Sequence, residues 1–241
     1  MEYIENENFR NNKLMVLQTK KCKKKKEKIP IPKYSLSEEL ISAISHGIGA
    51  ALSIAGLVLC IIMSAKHHNP AAVVSSVIYG TMLIILYTMS TLYHSFKSTC
   101  KAKKVFRVFD HCSIFLLIFG CYTPFTLVTL HGKVGWIIFS INLFITIIGV
   151  TLNAINLEKF KILSMICYLL MGWLIIFAFK DIYNALDKTG LILLASGGIV
   201  YTVGAIIFGL GKKIKYMHSL WHFFVLAGSI LQFFSIYLYV L

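Results

Sequence analysis

Charge is what this sequence has least of. Only 14% of its 241 residues are Asp, Glu, Lys or Arg, where soluble domains carry about a quarter. Beside 57% hydrophobic residues, that shortfall excludes a soluble globular domain. Acids are the scarcest, ten against 24 Lys and Arg. There is no CxxC pair among the six cysteines, and Cys60, Cys112, Cys121 and Cys167 lie in apolar stretches. A disulfide framework and a cysteine–zinc site are therefore poor readings, and the cysteines are taken as packing residues or cytosolic thiols. No stretch alternates apolar and polar residues for long, which argues against a transmembrane barrel. No lysine follows Lys215, so the last apolar segment cannot carry a retinal Schiff base.

What is present is apolar length. A bilayer core of about 30 Å takes about 20 apolar residues to cross as a helix. Seven such segments occur, at approximately 41–64, 71–93, 109–130, 134–154, 162–179, 190–210 and 217–241. Without water the backbone must bond to itself, so helices are expected. The first segment is too long for a cleaved signal and is expected to stay as a helix. Gly197, Gly198, Gly204 and Ala205 would allow close packing of the sixth segment. Pro124 is expected to kink or end the third. No internal repeat is evident.

Residues 1–36 are polar and end near the run Lys20-Lys21-Cys22-Lys23-Lys24-Lys25-Lys26. They read as a disordered basic tail lying against anionic lipid headgroups, ahead of a transmembrane domain over 37–241. The net charge of +14 sits in this tail and in short loops, not on a folded face, so nucleic acid is not the expected partner. A nuclear-localisation reading of the lysine run fits poorly with an integral membrane protein. With the N-terminus inside, twenty Lys and Arg fall on inner segments, and only Lys66, Lys133, Lys180 and Lys188 fall outside. This asymmetry places the N-terminus in the cytoplasm and the C-terminus outside. The expectation is an all-α, multi-pass protein of the cell membrane, a seven-transmembrane-helix bundle.

That topology sets the depth of each polar residue. Ser90 and His94 come at the cytoplasmic end of the second helix, Asp110 in the first turn of the third, and His218 and His222 in the first two turns of the seventh. Residues at i and i+4 share a helix face, so His218 and His222 can aim two imidazoles at one ion, as HExxH helices do. Three protein ligands and a water make the usual catalytic zinc site. A nearby carboxylate can deprotonate the water and a hydroxyl can donate to a developing oxyanion. Each residue alone has a plainer reading. The histidine pair could touch headgroups, Asp110 could pair with Arg107 or Lys104, and Ser90 could be a packing hydroxyl. Their convergence at one depth, with Asp110 the one acid inside the expected spans, favours zinc. His46 is either a supporting partner of a ligand or a satisfied interface histidine. His111 points about 100° from Asp110 on an ideal helix and is left out. His67, His68 and His131 fall in outer loops. Glu38 and Glu39 read as helix-start acids.

Several of these residues carry a resemblance. Ser90-x-x-x-His94, Phe109-Asp110-His111, Gly120-Cys121-Tyr122-Thr123-Pro124-Phe125, Met171-Gly172-Trp173, the Gly197–Ala205 run and His218-x-x-x-His222-Phe223-x-Val225 resemble the bacterial haemolysin III family. That family lies within the progestin and adipoQ receptor superfamily, to which alkaline ceramidases are distantly similar. The likeness runs from the first helix to the seventh and leaves out the tail. It implies His94, His218 and His222 as zinc ligands, Asp110 as the holder of the zinc-bound water, and Ser90 as the residue completing the site. At the site this sequence departs from none of the patterns. The family name implies haemolysis and pore formation; the eukaryotic relatives imply receptor roles or ceramide hydrolysis.

Three functions follow. The first is a zinc-dependent hydrolase of a membrane lipid amide or ester, with substrate entering sideways from the bilayer. The second is a haemolysin or pore-former, for which the helices offer no amphipathic lining. The third is a lipid- or stress-sensing receptor with a structural zinc. Protein partners are not indicated.

Overall fold

In the computed structural model, residues 31, 32, 34–211 and 214–241 are described. Residues 1–30 and 33 of the expected basic tail lie outside them. Among the described residues every regular element is helical. Helix α1 (Leu36–Lys66) opens on a capping box. Glu38 donates its backbone N–H to Ser35 Oγ, and its carboxylate accepts from Ser35 N at 2.9 Å; two otherwise orphaned amides are thus satisfied. Helix α2 (Pro70–Ser95) starts with proline in its first turn and Asn69 as cap, the place where a missing N–H costs nothing.

Helix α3 (Lys101–Pro124) begins eight residues before the apolar segment that marks it. Lys103 and Arg107 therefore stand on the helix, not in a loop, and both are buried. Their ammonium and guanidinium groups bond Glu39 at 2.7 Å and Glu158 at 2.6 Å, which makes burial of the charges tolerable. At its far end α3 passes through Pro124 into one π turn, Phe125–Thr129. Proline has no N–H to continue the ladder, and the hydroxyls of Thr123 and Thr126 bond carbonyls one turn back, at 2.9 and 3.0 Å.

Helix α4 (Gly132–Gly172) is broken at Asn156, whose φ of −160° and ψ of 88° are not helical. Asn156 Oδ1 accepts from Lys159 N at 3.1 Å and caps the second arm. Ser164 Oγ donates to Asn153 Oδ1 at 2.6 Å, and Asn153 Nδ2 donates to Tyr168 Oη at 3.3 Å. Eleven residues along one helix would span about 16 Å, so these bonds require the arms to fold back on each other. A 3₁₀ turn (Leu174–Ala178) and the short α5 (Phe179–Ala185) lead to α6 (Lys188–Leu210) and α7 (Met217–Tyr239).

Among the described residues six helices are long and apolar enough to cross a membrane, and their exposed faces are rich in Ile, Leu, Val and Phe. Seven segments were expected; the difference is the 54-residue run Gly132–Ala185, which holds the fourth and fifth together. The family of helices is a multi-pass membrane bundle. Small residues let it close. A Cβ on Gly49 would lie 2.6 Å from the Tyr87 ring, and one on Gly197 would lie 2.7 Å from Gln232 Nε2, so α1 meets α2, and α6 meets α7, at glycine. Cys60, Cys100, Cys112, Cys121 and Cys167 are all free thiols.

Candidate metal centre

The end of α2, the start of α3 and the start of α7 come together at one end of the bundle. His94 lies in the last turn of α2, and His218 and His222 lie one turn apart on α7. All three are buried. His218 Nε2 is 3.3 Å from His94 Nε2 and 3.3 Å from His222 Nε2, and one ligating atom from each residue lies within 4.8 Å of the others. A neutral imidazole carries one proton and one lone pair; three rings facing each other through Nε2 cannot all be satisfied by protons. A cation satisfies them together. Nitrogens about 2.0–2.1 Å from a tetrahedral zinc stand about 3.3–3.4 Å apart, which is the spacing of two of the three edges. Donor set and spacing thus fit a metal ion.

Ser90 is one turn before His94 on α2 and buried; its Oγ has no hydrogen-bond partner within 3.5 Å, and the Asp110 carboxyl is the group near enough to accept from it after a small shift. Asp110 stands on α3 with its side chain 13% exposed. Ser90, Asp110, His218 and His222 share the wall of one cavity of about 490 Å³ that otherwise is mostly apolar and reaches Tyr201 and Gln232. Gln232 is ten residues beyond His222, or about 15 Å along α7.

His111, left out of the candidate site on helical phase, lines this cavity as well. Its Nδ1 bonds Arg107 O at 2.9 Å and lies 3.5 Å from Asp110 Oδ2, and it stands outside the three-histidine cluster. His46, read either as a supporting partner of a ligand or as a satisfied interface histidine, packs directly against His222. It is buried, and its ring centroid is 4.0 Å from that of His222.

Two neighbours escaped the sequence. Glu39 places Oε2 at 2.7 Å from His94 Nδ1, with Oε1 at 2.7 Å from Lys103 Nζ. The signal was the acidic pair itself, since a capping box uses only one acid. Tyr34, just before α1, stacks on His218 with centroids 4.5 Å apart and planes 11° from parallel, covering the cluster. Burial pushes its phenol pKa up, so it stands there as a neutral ring.

The family model for haemolysin-III-related proteins matches residues 34–233. The chain belongs to the haemolysin III family. It is 45% identical to the protein "Hemolysin-3" of Bacillus cereus over 206 residues, 86% of this chain and 93% of that one. To the "Hemolysin-3 homolog" of Bacillus subtilis (strain 168) it is 41% identical, covering 86% and 96%. A more distant human relative, "Monocyte to macrophage differentiation factor", is 28% identical over 173 residues, 68% of this chain and 69% of that one. The haemolysin III match takes in every residue of the cluster, from Tyr34 to His222.

Proposed function

We propose that this haemolysin III protein holds one zinc ion on His94, His218 and His222 and uses it to hydrolyse an amide or ester of a membrane lipid. The observation that carries the reading is the cluster of three imidazole nitrogens, two of which, from His218 and His222, share the wall of one largely apolar cavity with the Asp110 carboxyl and the Ser90 hydroxyl. Zinc suits an all-imidazole donor set. When bound, it acts as a Lewis acid and brings the pKa of a coordinated water toward about 7.

The protein's own groups supply the rest. Asp110 orients the attacking water and takes its proton. Ser90 Oγ, on the cavity wall beside the Asp110 carboxyl, donates to the oxygen on which charge develops. The apolar wall, formed largely by α3, by the second arm of α4 and by α6, accepts an acyl chain, and substrate enters between α4 and α6 from the bilayer. In this reading α4 crosses twice, which gives seven crossings. The count of twenty basic residues against four puts the N-terminus and the cluster at the cytoplasmic side of the cell membrane. The basic tail then rests on anionic headgroups.

The decisive experiment incubates detergent-purified, zinc-assayed protein with ceramide-like amides and with lipid esters, and measures fatty-acid release. Release from either class supports the hydrolase. Zinc-replete protein that releases nothing from either would favour a sensor in which the metal is structural. The relatives' names point instead to lysis, but the largely apolar wall of the cavity is a poor lining for an aqueous pore.

A further inference from the structure

The two adjacent acids at the start of α1 do different work. Glu38 is spent on the helix start and on α7: it bonds Ser35 N and Ser35 Oγ, and accepts from Tyr216 N at 2.8 Å. Tyr216 has the left-handed φ of 66° at the cap of the helix that carries His218 and His222. Glu39, one residue on, turns toward α2 and α3. Its two oxygens accept separately, Oε2 from His94 Nδ1 and Oε1 from Lys103 Nζ, each at 2.7 Å. Lys103 is only 1% exposed. Its ammonium also donates to Phe96 O at 2.9 Å and stands 4.9 Å from the centre of the Tyr93 ring. A buried ammonium cannot give up its carboxylate cheaply, so Glu39 is held in place.

We propose that Glu39 is a positioning residue for His94: it keeps the ring proton on Nδ1 and so leaves Nε2 as a bare donor toward His218 and His222, while Lys103 fixes the carboxylate. A carboxylate only accepts, so the imidazole nitrogen facing it must carry the hydrogen. The metal-affinity part of this role rests on the metal reading above; the proton placement does not.

The alternative is an ion pair that merely ties α1 to α3, and Glu39→Gln tells the two apart. Glutamine has one acceptor oxygen and one donor nitrogen. Lys103 claims the oxygen, so the amide nitrogen donates to His94 Nδ1, the proton moves to Nε2, and the donor is blocked. Removing Lys103 frees the amide to turn its oxygen to His94. Zinc affinity, read by competition with a chromophoric chelator, should therefore fall on the order of 10–100-fold in Glu39→Gln. It should recover most of that loss in Glu39→Gln/Lys103→Met. A mere ion pair predicts no recovery when its second half is also deleted. In metal-free, ¹⁵N-histidine-labelled protein the His94 proton should sit on Nδ1 in the wild type and on Nε2 in Glu39→Gln, with melting temperatures checking that both are folded. Unchanged affinity, absent recovery or a proton that stays on Nδ1 overturns the role of Glu39. A wild type that binds no zinc overturns the metal reading, and the ring-proton measurement then still decides on Glu39.

Discussion

Ser164 Oγ donates to Asn153 Oδ1 at 2.6 Å, eleven positions apart on a single run of helix. Only a reversal at Asn156 permits that contact. Gly132–Ala185, at 54 residues, would be about 80 Å long if straight, far more than a bilayer core of about 30 Å. The proposed topology, two crossings joined at Asn156, accounts for both facts; its count is seven, an odd number that would put the termini on opposite sides.

Topology is therefore the first expectation. A reporter fused after Leu241 should behave as extracytoplasmic, and reporters inserted after Ser98 or after Asn156 as cytoplasmic. If α4 crossed only once, Leu241 would report from the cytoplasm. Matching signals from Ser98 and Leu241 refute the arrangement.

Much of this was legible in the sequence because apolar length and i,i+4 spacing are properties of one helix at a time. The segments were visible as runs, and the charged break near Asn156 marked the turn between α4's arms. His94, His218 and His222 could be set at one depth because each lies near a helix end. What periodicity cannot report is a partner on another helix. Lys103 and Arg107 looked like loop residues since hydropathy marks only where α3 enters the membrane; the helix runs further because Glu39 and Glu158 compensate their charges. Glu39 looked like a helix-start acid for the same reason. Tyr34 lies outside any apolar segment, and only packing brings it over His218.

Packing of α1 against α2 yields a stability expectation. A methyl on Gly49 would meet the Tyr87 ring at 2.6 Å. Tyr87 cannot retreat freely, because its hydroxyl donates to Ser229 Oγ at 2.7 Å, tying α2 to α7. Gly49→Ala should cost about 1–3 kcal/mol, the usual penalty of overpacking, and lower the melting temperature in detergent. Tyr87→Leu in the same background should restore part of the loss by opening the contact. A Gly49→Ala protein as stable as wild type would mean the helices do not meet as closely as described.

Metal content is the next. Purified protein should hold about one zinc per chain, and His218→Ala or His222→Ala should lose most of it, since four-coordinate sites tolerate ligand loss poorly. Metal that binds the native state alone stabilises it, by about 2.7 kcal/mol at a free concentration 100 times Kd. Chelation should lower the wild-type melting temperature and leave that of the double variant unmoved. Full zinc occupancy in His218→Ala/His222→Ala would end the ligand assignment.

The roles of Asp110 and Ser90 separate chemistry from metal binding. Asp110 shares the cavity wall with His218 and His222, but it is not among the three residues whose ligating atoms converge. Asp110→Asn should accordingly keep the zinc and the fold. An amide can still bond a water but is a very poor base, so fatty-acid release should fall by about 10²–10⁴-fold, the range for a lost general base. Ser90→Ala removes one hydroxyl beside the Asp110 carboxyl and leaves all three histidines in place. It should cost less zinc than any of the three histidine changes and slow release through weaker support of the oxyanion. Measuring zinc content and turnover on the same preparations distinguishes a lost ligand, which lowers both, from a lost base, which lowers turnover alone. Unchanged release in Asp110→Asn would remove the carboxylate from the mechanism while leaving the three-histidine cluster as a metal site.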